Sequence, residues 1–296
     1  MIILSNQRLR SLSNKPKVIR VNNMLTCGKP VIRVSLNGGI GNQLFQFANG
    51  VSLALQNNCQ LQFVESSKQW PSKLQFLGIS PRATYSPKVR DGSLDLPIAE
   101  HKKFCRFDQF VEKAFSYESI AISNSHTKIQ GYFQSEKYFA ANELPIRNHI
   151  IEKIGSFKSF ESWDCVIQIR LGDMARDPVV RKIHGIISDE YLESAMKIHG
   201  IRAENFVVIT DDSEKIVHEL PNFSALDVNY AKSNSDLEDL YTLSMAKKIV
   251  ISNSTFGWWG AWLSAGEVIA PKKWFSDLGL QNRNTKDLFP ENWTLI

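Results

Sequence analysis

The chain is poor in the features that mark several common classes of protein. Its 296 residues include four cysteines without a Cys-x-x-Cys pair or a zinc-type Cys/His spacing, so neither a zinc site nor a disulfide framework is indicated. No apolar run approaches the length of a membrane span, and the first residues contain too short an apolar stretch for a signal peptide. We therefore expect a cytoplasmic protein with reduced thiols and at most peripheral contact with the inner face of the membrane.

The chain also lacks a strong excess of one charge. Its net charge of +5 is small for the length, and the 22% of charged residues are of mixed sign, so nucleic acid is not indicated as a partner. A small anionic ligand is compatible with this balance. With 43% apolar residues, the chain is long enough for a substantial core, and two domains are favoured over one.

Patterns of apolar residues predict two α/β units. The alternating pattern VIRVSL predicts a strand, and the apolar residues from Leu44 to Leu55 recur at helical spacing. Asn42 is a candidate N-cap of this helix, and a second predicted strand ends at Glu65. After a segment broken by prolines (66–128), near-continuous apolar strands alternate with helices, which predicts a parallel sheet covered on both faces. The five strands predicted for this sheet are 165–171, 206–210, 224–229, 248–252 and 267–271.

We therefore predict an α/β protein with three parts. Residues 1–29 form an extension, 30–155 a smaller α/β domain, and 156–296 a Rossmann-like domain with a five-stranded parallel sheet. Two such domains facing each other leave a cleft. Because ligands of open parallel sheets bind beyond the carboxyl ends of the strands, the turns that follow strands are the candidate functional segments.

The turn NGGIGNQ follows the first strand and opens the first helix. Gly38, Gly39 and Gly41 permit positive φ and close approach of another group, and the helix amino end offers free N–H groups to a phosphate or a sugar hydroxyl. The spacing matches neither the dinucleotide-binding nor the P-loop pattern, so a simple tight turn is the alternative. Asn42 and Gln43 favour a ligand site, because their amides add donors and acceptors to the turn.

The stretch QIRLGDM ends the first strand of the second domain. Its guanidinium, Arg170, is suited to bidentate hydrogen bonds with a diphosphate, and the alternative is a surface ion pair. Asp173 is a candidate base or orienting group, and the alternative is a cap of the next turn.

The stretch ISNSTFGWWGAWL places Ser254 and Thr255 at a helix start. Their hydroxyls are typical N-cap groups, and together with the free N–H groups they also suit a phosphate. The three tryptophans that follow, at 258, 259 and 262, are expected to pack in the core or at a domain interface.

A predicted helix over 235–247 carries Asp236, Glu238 and Asp239 in its first turn. A carboxylate can accept hydrogen bonds from both N1–H and N2–H₂ of guanine, so one of the three is a candidate for selecting a guanine nucleotide. The alternative is a solvated acidic turn favoured by the helix dipole. The pair Asp211 and Asp212 also follows a strand, where either ligand contact or helix capping is possible.

The chain resembles the α-1,2-fucosyltransferases of glycosyltransferase family eleven. GGIGNQLFQFA is similar to the opening motif of that family, GYFQSEKYF to its middle motif, QIRLGD to its His-x-Arg-Arg-Gly-Asp motif, and ISNSTFGWWGAWL followed by VIAPKKWF to its closing block. These matches run in the family's order over roughly residues 30–276.

The resemblance implies a GT-B-like pair of Rossmann-like domains, GDP-L-fucose as donor, and a galactose-terminated glycan as acceptor on the side of the N-terminal domain. It implies inversion at the anomeric carbon without a metal or another cofactor. Arg170 would bind the β-phosphate, and Asp173 is our candidate general base. The donor-binding residues expected by position are Gly39, Gly41, Asn42, Gln43, Arg170, Asp239, Ser254, Thr255 and Phe256.

Two positions depart from the family pattern. The motif's histidine is Gln168 here, and its second arginine is Leu171. Protein O-fucosyltransferases also keep only the first arginine, so the expected role of Arg170 is retained, whereas donor or acceptor preference is open to change. A degenerate GDP-sugar-binding module is one alternative. A metal-dependent transferase is another, although Asp211 and Asp212 lack the Asp-x-Asp spacing which that class requires.

Overall fold

The computed structural model describes residues 29–100, 106–123, 125–157, 163–201, 206–281 and 283–296. The predicted extension over 1–29 therefore lies outside the described residues, apart from Lys29. Two sheets organise the chain, the first built from strands between residues 31 and 130 and the second from strands between 165 and 295. The chain has the α/β architecture that the sequence predicts.

The N-terminal sheet has the strand order β3-β2-β1-β7-β6, and β2–β1–β7–β6 are parallel. Only β3 is antiparallel to its neighbour, at the edge next to β2. A separate hairpin of β4 and β5 and the helices α1 and α2 complete this part of the chain. The bounds are β1 Val31–Leu36, α1 Ile40–Gln56, β2 Gln60–Glu65, β3 Thr84–Tyr85, β4 Lys88–Arg90, β5 Ser93–Asp95, β6 Asp108–Val111, β7 Thr127–Gln130 and α2 Glu143–Ile154.

The C-terminal sheet is parallel throughout, with the order β10-β9-β8-β11-β12-β13. Its central strand β8 is fully buried and β11 is buried at all residues but the first, as a sheet with helices on both faces requires. The strands are β8 Cys165–Ile169, β9 Phe206–Thr210, β10 Asn229–Tyr230, β11 Lys248–Ile251, β12 Glu267–Ala270 and β13 Thr294–Leu295. The helices are α3 Gly172–Arg176, α4 Pro178–His184, α5 Asp189–His199, α6 Ser213–Glu219, α7 Pro221–Ser224, α8 Asp236–Met245, α9 Thr255–Leu263 and α10 Asp277–Leu280.

Three local predictions are wrong. The C-terminal sheet has six strands where five were predicted, because the two-residue strand β13 is too short to produce a sequence pattern. The predicted strand 224–229 is reduced to β10, since Pro221 starts the short helix α7 instead. Asn42 is not an N-cap but lies inside the first turn of α1, whose N-cap is Gly39.

An aromatic seam joins the two halves of the molecule. In this seam Phe45 of α1 packs against Trp258 and Trp259 of α9, with ring centroids 4.5 Å and 5.1 Å apart. Phe139, which precedes α2, adds contacts to Trp259 at 5.5 Å and Trp262 at 5.3 Å. These five rings are buried, which confirms that the tryptophans pack at a domain interface.

The seam brings the start of α1 against the start of α9. A Cβ added to Gly41 would lie 2.5 Å from the carbonyl carbon of Thr255, so only glycine permits this approach of the two backbones. The turns after β1 and β7 therefore face those after β8, β9 and β11. Two Rossmann-like domains meeting in this way form a GT-B architecture, with a cleft between the ligand-binding edges of the sheets. In the segments that the structure describes, no helix combines the length and apolar character needed to cross a bilayer.

Candidate active-site cleft

The cleft between the two sheets has a volume of about 670 Å³. Its walls are formed by the segments that follow strands of both domains, together with the first turn of α8. Nine of the ten predicted site residues line it, and Gln43 is the exception. The nine are Gly39, Gly41, Asn42, Arg170, Asp173, Asp239, Ser254, Thr255 and Phe256.

The glycine turn after β1 presents the amino end of α1 to the cleft. Gly38 adopts a φ of +78°, which an L-residue with a side chain rarely takes. The N-cap Gly39 provides no side-chain hydrogen bond to the first turn of α1. The N–H groups of that turn are therefore not capped by the N-cap side chain, and they carry the positive end of the helix dipole.

The two amides of this turn have different surroundings. Asn42 lines the cleft, and its Oδ1 accepts a hydrogen bond from Gln134 Nε2 at 2.8 Å. Gln43 is buried behind the wall, where its Nε2 donates to the carbonyl oxygens of Gly38 (3.0 Å) and Pro71 (2.9 Å). Its Oε1 accepts from the backbone N–H of Lys73 at 2.8 Å. The structure thus makes Gln43 a brace between the glycine turn and residues 71–73 rather than a cleft-lining group.

Arg170 and Asp173 form an ion pair at the end of β8. The guanidinium donates to Asp173 Oδ1 from Nη2 at 2.8 Å and from Nε at 3.3 Å. The Arg170 side chain is 34% exposed and the Asp173 side chain 54%, so both groups are open to the cleft. The structure therefore shows both the ion pair, which was the alternative interpretation of Arg170, and the predicted position of Arg170 in the cleft.

The backbone of Arg170 is held by a buried hydrogen-bond chain. Its N–H donates to Ser252 Oγ at 3.0 Å, and the Ser252 hydroxyl donates to Gln168 Oε1 at 3.0 Å. Gln168 and Ser252 are both buried. The departure from the family motif at 168 therefore places a hydrogen-bonded amide beneath Arg170. The second departure, Leu171, is fully buried in the core of the C-terminal domain.

The two aspartates after β9 support the turn that follows β8. Asp211 lines the cleft, and its Oδ1 accepts from the backbone N–H groups of Leu171 at 2.8 Å and Gly172 at 3.1 Å. Asp212 accepts from the backbone N–H of Lys215 at 3.3 Å and caps α6. The capping interpretation thus holds for Asp212, whereas Asp211 stabilises the start of α3.

Asp239 differs from the other two acidic residues of α8. Its Oδ1 is buried and has no hydrogen-bond partner, although the residue lines the cleft. Burial raises the pKa of this carboxyl, the charges of Asp236 and Glu238 raise it further, and the Ser233 hydroxyl opposes them. Asp236 instead lies 3.6 Å from Lys73 Nζ of the N-terminal domain. An unpaired buried acceptor is costly unless a ligand satisfies it.

The amino end of α9 forms the floor of the cleft. Ser254 is its N-cap, and its Oγ accepts from the backbone N–H of Gly257 at 3.5 Å. Next to it, Asn253 Nδ2 donates to the carbonyl oxygens of His184 at 2.9 Å and Trp274 at 3.2 Å. These bonds fix the loop that enters α9 relative to the end of α4.

Several cleft residues were missed by the sequence reasoning. On the N-terminal side they are Trp70, Lys73, Phe115, Tyr132 and Gln134, and on the C-terminal side they include His184, Trp274, Phe275 and Arg283. Burial lowers the pKa of the His184 imidazole, and the positive charge of Arg283 contributes in the same direction. Tyr132 and Gln134 belong to the middle motif GYFQSEKYF, and that membership was the available signal.

A second cavity of about 430 Å³ lies between α2, α9 and the C-terminal segment. It is lined by Arg147, Trp262 and Asp287 among others, and it contains none of the predicted site residues. The described ranges contain no group of three or more His, Cys, Asp or Glu residues placed to hold a metal ion.

Comparison with known proteins gives matches over most of the chain. The model of a family described as Glycosyl transferase family 11 matches residues 2–296. An α-1,2-colitosyltransferase of Escherichia coli is 27% identical over 302 residues, which cover 90% of this chain and 99% of that protein. The mouse galactoside 2-α-L-fucosyltransferase Sec1 is 23% identical over 262 residues, covering 80% of this chain and 65% of that protein. Among solved structures, the E. coli heptosyltransferase WaaC with ADP aligns with a TM-score of 0.47 at 10% identity, covering 90% of this chain and 92% of that one.

Proposed function

Because the chain belongs to glycosyl transferase family 11, we propose that it moves L-fucose from GDP-L-fucose to the 2-hydroxyl of a terminal galactose in an oligosaccharide or glycolipid precursor. The names of two relatives support this regiochemistry, since one is an α-1,2-colitosyltransferase and the other a galactoside 2-α-L-fucosyltransferase. Both are matched over at least 80% of this chain.

The observation that carries the proposal is the convergence of three groups on one cleft. The Arg170 guanidinium and the amino ends of α1 and α9 offer positive charge and N–H donors, which suit a diphosphate. The unpaired Oδ1 of Asp239 offers an acceptor for the N1–H or N2–H₂ of guanine. A GDP-sugar is a ligand that would use all of these groups at once.

The proposed reaction is a single displacement with inversion. The 2-hydroxyl oxygen of galactose forms a bond to the anomeric carbon of fucose while the bond from that carbon to the β-phosphate oxygen breaks. GDP leaves with the electron pair, and the hydroxyl proton passes to a base. Arg170 and the helix amino ends would stabilise the charge that grows on the diphosphate, so the reaction as proposed requires no metal ion or other cofactor.

Asp173 is the proposed base. Both hydrogen bonds from Arg170 go to its Oδ1, which leaves Oδ2 outside the ion pair. In the proposed mechanism, Asp173 Oδ2 takes the proton from the acceptor hydroxyl, and Arg170 holds the carboxylate in orientation. Replacement by asparagine tests this role, because Asp173→Asn retains the shape and loses the basicity. Unchanged transfer by that variant would remove Asp173 from the mechanism.

A second candidate donor is GDP-colitose. It is favoured by the E. coli relative, whose name specifies colitose and which matches 90% of the chain. Colitose is L-fucose without the 3-hydroxyl, so the two donors differ by one oxygen atom. Selectivity between them depends on whether the cleft supplies a hydrogen-bonding partner at that position.

A donor screen tests the proposed function. The purified full chain would be incubated with GDP-fucose, GDP-colitose, GDP-mannose or a set of UDP-sugars, with lactose as acceptor, in the presence and absence of EDTA. We expect fucosyllactose from GDP-fucose, with an α-1,2 linkage by NMR and activity that survives EDTA. Transfer from UDP-sugars alone would contradict the proposal. GDP binding by calorimetry without any turnover would indicate a binding module.

A further inference from the structure

The N-terminal wall of the cleft carries aromatic side chains that are only partly covered. Trp70 is 38% exposed and Tyr132 39%, although both line the cleft. The charged groups on this wall are few, and Lys73 already lies close to Asp236 of the opposite wall. The wall therefore offers flat apolar faces beside the site proposed for the diphosphate.

Tyr132 is presented by an unusual turn after β7. The next residue, Phe133, has a φ of +54°, in the left-handed region that residues with a side chain seldom adopt. Its ring is fully buried against Phe110 and Tyr138. Such a conformation persists only where surrounding contacts enforce it, and it recurs at binding sites.

The side chain of Glu112 stabilises this turn. Its Oε2 accepts the backbone N–H of Tyr132 at 2.7 Å, and its two oxygens accept the N–H of Phe133 at 3.1 Å and 3.2 Å. Gly131 is required beside it, because a Cβ there would lie 2.5 Å from the Glu112 Cβ. One carboxylate thus holds two consecutive N–H groups of the turn.

The same turn is tied to the glycine turn at the start of α1. Asn37 Nδ2 donates to the Tyr132 hydroxyl at 3.3 Å, and Gln134 Nε2 donates to Asn42 Oδ1 at 2.8 Å. The Tyr132 ring is therefore fixed relative to the helix end that is proposed to contact the donor. A ring in this position can set where a second sugar lies with respect to the first.

We propose that Trp70 and Tyr132 form the subsite for the acceptor sugar, and that Glu112 is the residue that positions Tyr132. This inference rests on the proposed function and adds the acceptor's location to it. β-Galactose has an axial 4-hydroxyl, so the C–H groups of one ring face form a continuous apolar patch that can pack on an aromatic ring. Aromatic faces beside a few fixed amides, here Asn37 and Gln134, are typical of the chemistry of a small-molecule site.

The first test separates acceptor binding from donor binding. For Tyr132→Ala and Trp70→Ala we expect the KM for lactose to rise at least tenfold. GDP affinity by calorimetry, and hydrolysis of GDP-fucose without acceptor, should stay within twofold of wild type. Tyr132→Phe keeps the ring but loses the hydroxyl that accepts from Asn37, so its KM for lactose should lie between that of the wild type and that of Tyr132→Ala. Tyr230→Ala is the matched control, because Tyr230 is 36% exposed, lies on the edge strand β10 and is not among the residues that line the cleft.

The second test addresses Glu112. Glu112→Gln keeps the shape of the side chain but removes the charge that strengthens both N–H contacts. We expect the KM for lactose to rise several-fold while the rate of donor hydrolysis and the affinity for GDP are retained. A loss of all three together would indicate a general structural role and would overturn the assignment. An unchanged KM would also overturn it.

A binding measurement keeps this inference distinct from the proposed function. Saturation-transfer NMR of methyl β-galactoside with the GDP-loaded protein reports acceptor binding whether or not transfer occurs. Loss of that signal in Tyr132→Ala and Trp70→Ala supports the subsite even if the donor is not GDP-fucose. An undiminished signal in both variants would refute the subsite, and absent transfer by the wild type would refute only the proposed function.

Discussion

The two walls of the cleft differ in chemical character. The C-terminal wall carries the guanidinium groups of Arg170 and Arg283, several carboxylates and the capped start of α9. The N-terminal wall carries an uncapped helix start, amides and partly exposed aromatic rings. Under the proposed function, the C-terminal wall would supply most of the charge that the leaving diphosphate needs, together with the amino end of α1. The aromatic rings of the N-terminal wall would then bind the neutral acceptor sugar.

The two helix amino ends that meet in the cleft also differ, in how the N–H groups of their first turns are capped. Ser254 caps α9, whereas the N-cap of α1 is Gly39 and contributes no side-chain hydrogen bond. The first turn of α1 is therefore the less satisfied of the two, and a bound anion would supply what its N-cap lacks. The two ends come together only because Gly41 allows the backbone at Thr255 to approach.

The largest expected effect is on the C-terminal wall. Arg170→Ala should lower the transfer rate by about 10²–10³-fold, as loss of one preorganised donor to a developing negative charge does. Arg170→Lys should recover part of the rate, because the charge returns without the bidentate geometry. Steady-state kinetics with GDP-fucose and lactose would measure both variants.

Arg176→Ala is the matched control for Arg170→Ala. Arg176 ends α3, the short helix that begins two residues after Arg170, but it pairs with Asp212 and does not line the cleft. We expect nearly wild-type rates from this control. If Arg170→Ala were as active as Arg176→Ala, the assignment of the diphosphate to the C-terminal wall would fail.

The next effect concerns the contact between the walls. Gly41→Ala would place a methyl group 2.5 Å from the Thr255 carbonyl carbon, so α1 and α9 must separate. Overpacking of this kind costs about 1–3 kcal/mol of unfolding free energy. Gly39→Ala has open space around its Cβ, and its cost as an N-cap substitution should be below about 1 kcal/mol. Chemical denaturation would measure both, and equal destabilisation would contradict the close approach.

A third prediction concerns pH and the guanine contact. The pKa of Asp239 is raised by burial, and only its ionised form can accept both guanine donors. GDP affinity should be full above that raised pKa and should fall about tenfold for each pH unit below it. Calorimetry over a pH series would show this fall.

The Asp239→Asn variant isolates this carboxyl from other titrating groups. It should bind GDP more weakly at neutral pH and should lack the component of the pH dependence that belongs to Asp239. Glu238→Gln is the control on the same turn of α8, where the Glu238 carboxylate accepts from the backbone N–H of Asn234 at 2.8 Å. A Glu238→Gln profile that matched Asp239→Asn would exclude the guanine assignment.

The smallest expected effect on the transfer rate comes from the hydrogen bonds that hold the backbone of Arg170. Ser252→Ala removes the hydroxyl that joins the Arg170 N–H to Gln168 Oε1, and it should cost about 1–3 kcal/mol of unfolding free energy because the buried Gln168 Oε1 and the partly buried N–H both lose their partner. Transfer should slow less than tenfold, since the guanidinium itself remains. Ser264→Ala removes a buried hydroxyl that donates to Ala246 O at 2.8 Å, distant from the cleft, and it should leave the rate unchanged. Equal rates in the two variants would show that the hydrogen bonds of Ser252 do not position Arg170 for transfer.

The C-terminal domain was predictable because its strands are long apolar runs separated by periodic helices. Arg170 and Ser254 lie in the segments that follow β8 and β11, so their presence at one edge of the C-terminal sheet followed from the general geometry of parallel sheets. The strands β10 and β13 escaped accurate prediction because two residues do not make a pattern.

The N-terminal wall was less predictable, for a physical reason. Trp70 and Phe115 lie in the proline-broken segment, where no periodicity reports which side chains face inward. The burial of Gln43 depends on backbone groups of Pro71 and Lys73, which are about thirty positions away in the chain. Contacts of that kind become visible only when the chain is folded.

The aromatic seam provides an optical reporter of how the two domains separate. Trp258, Trp259 and Trp262 are among the protein's seven tryptophans, and all three are buried where α9 meets α1. Their fluorescence should shift to longer wavelength when water reaches the rings. A shift that coincides with the loss of helical circular dichroism during denaturation would mean that the domains unfold as one cooperative unit. An earlier shift would measure the free energy of parting the domains while each remains folded.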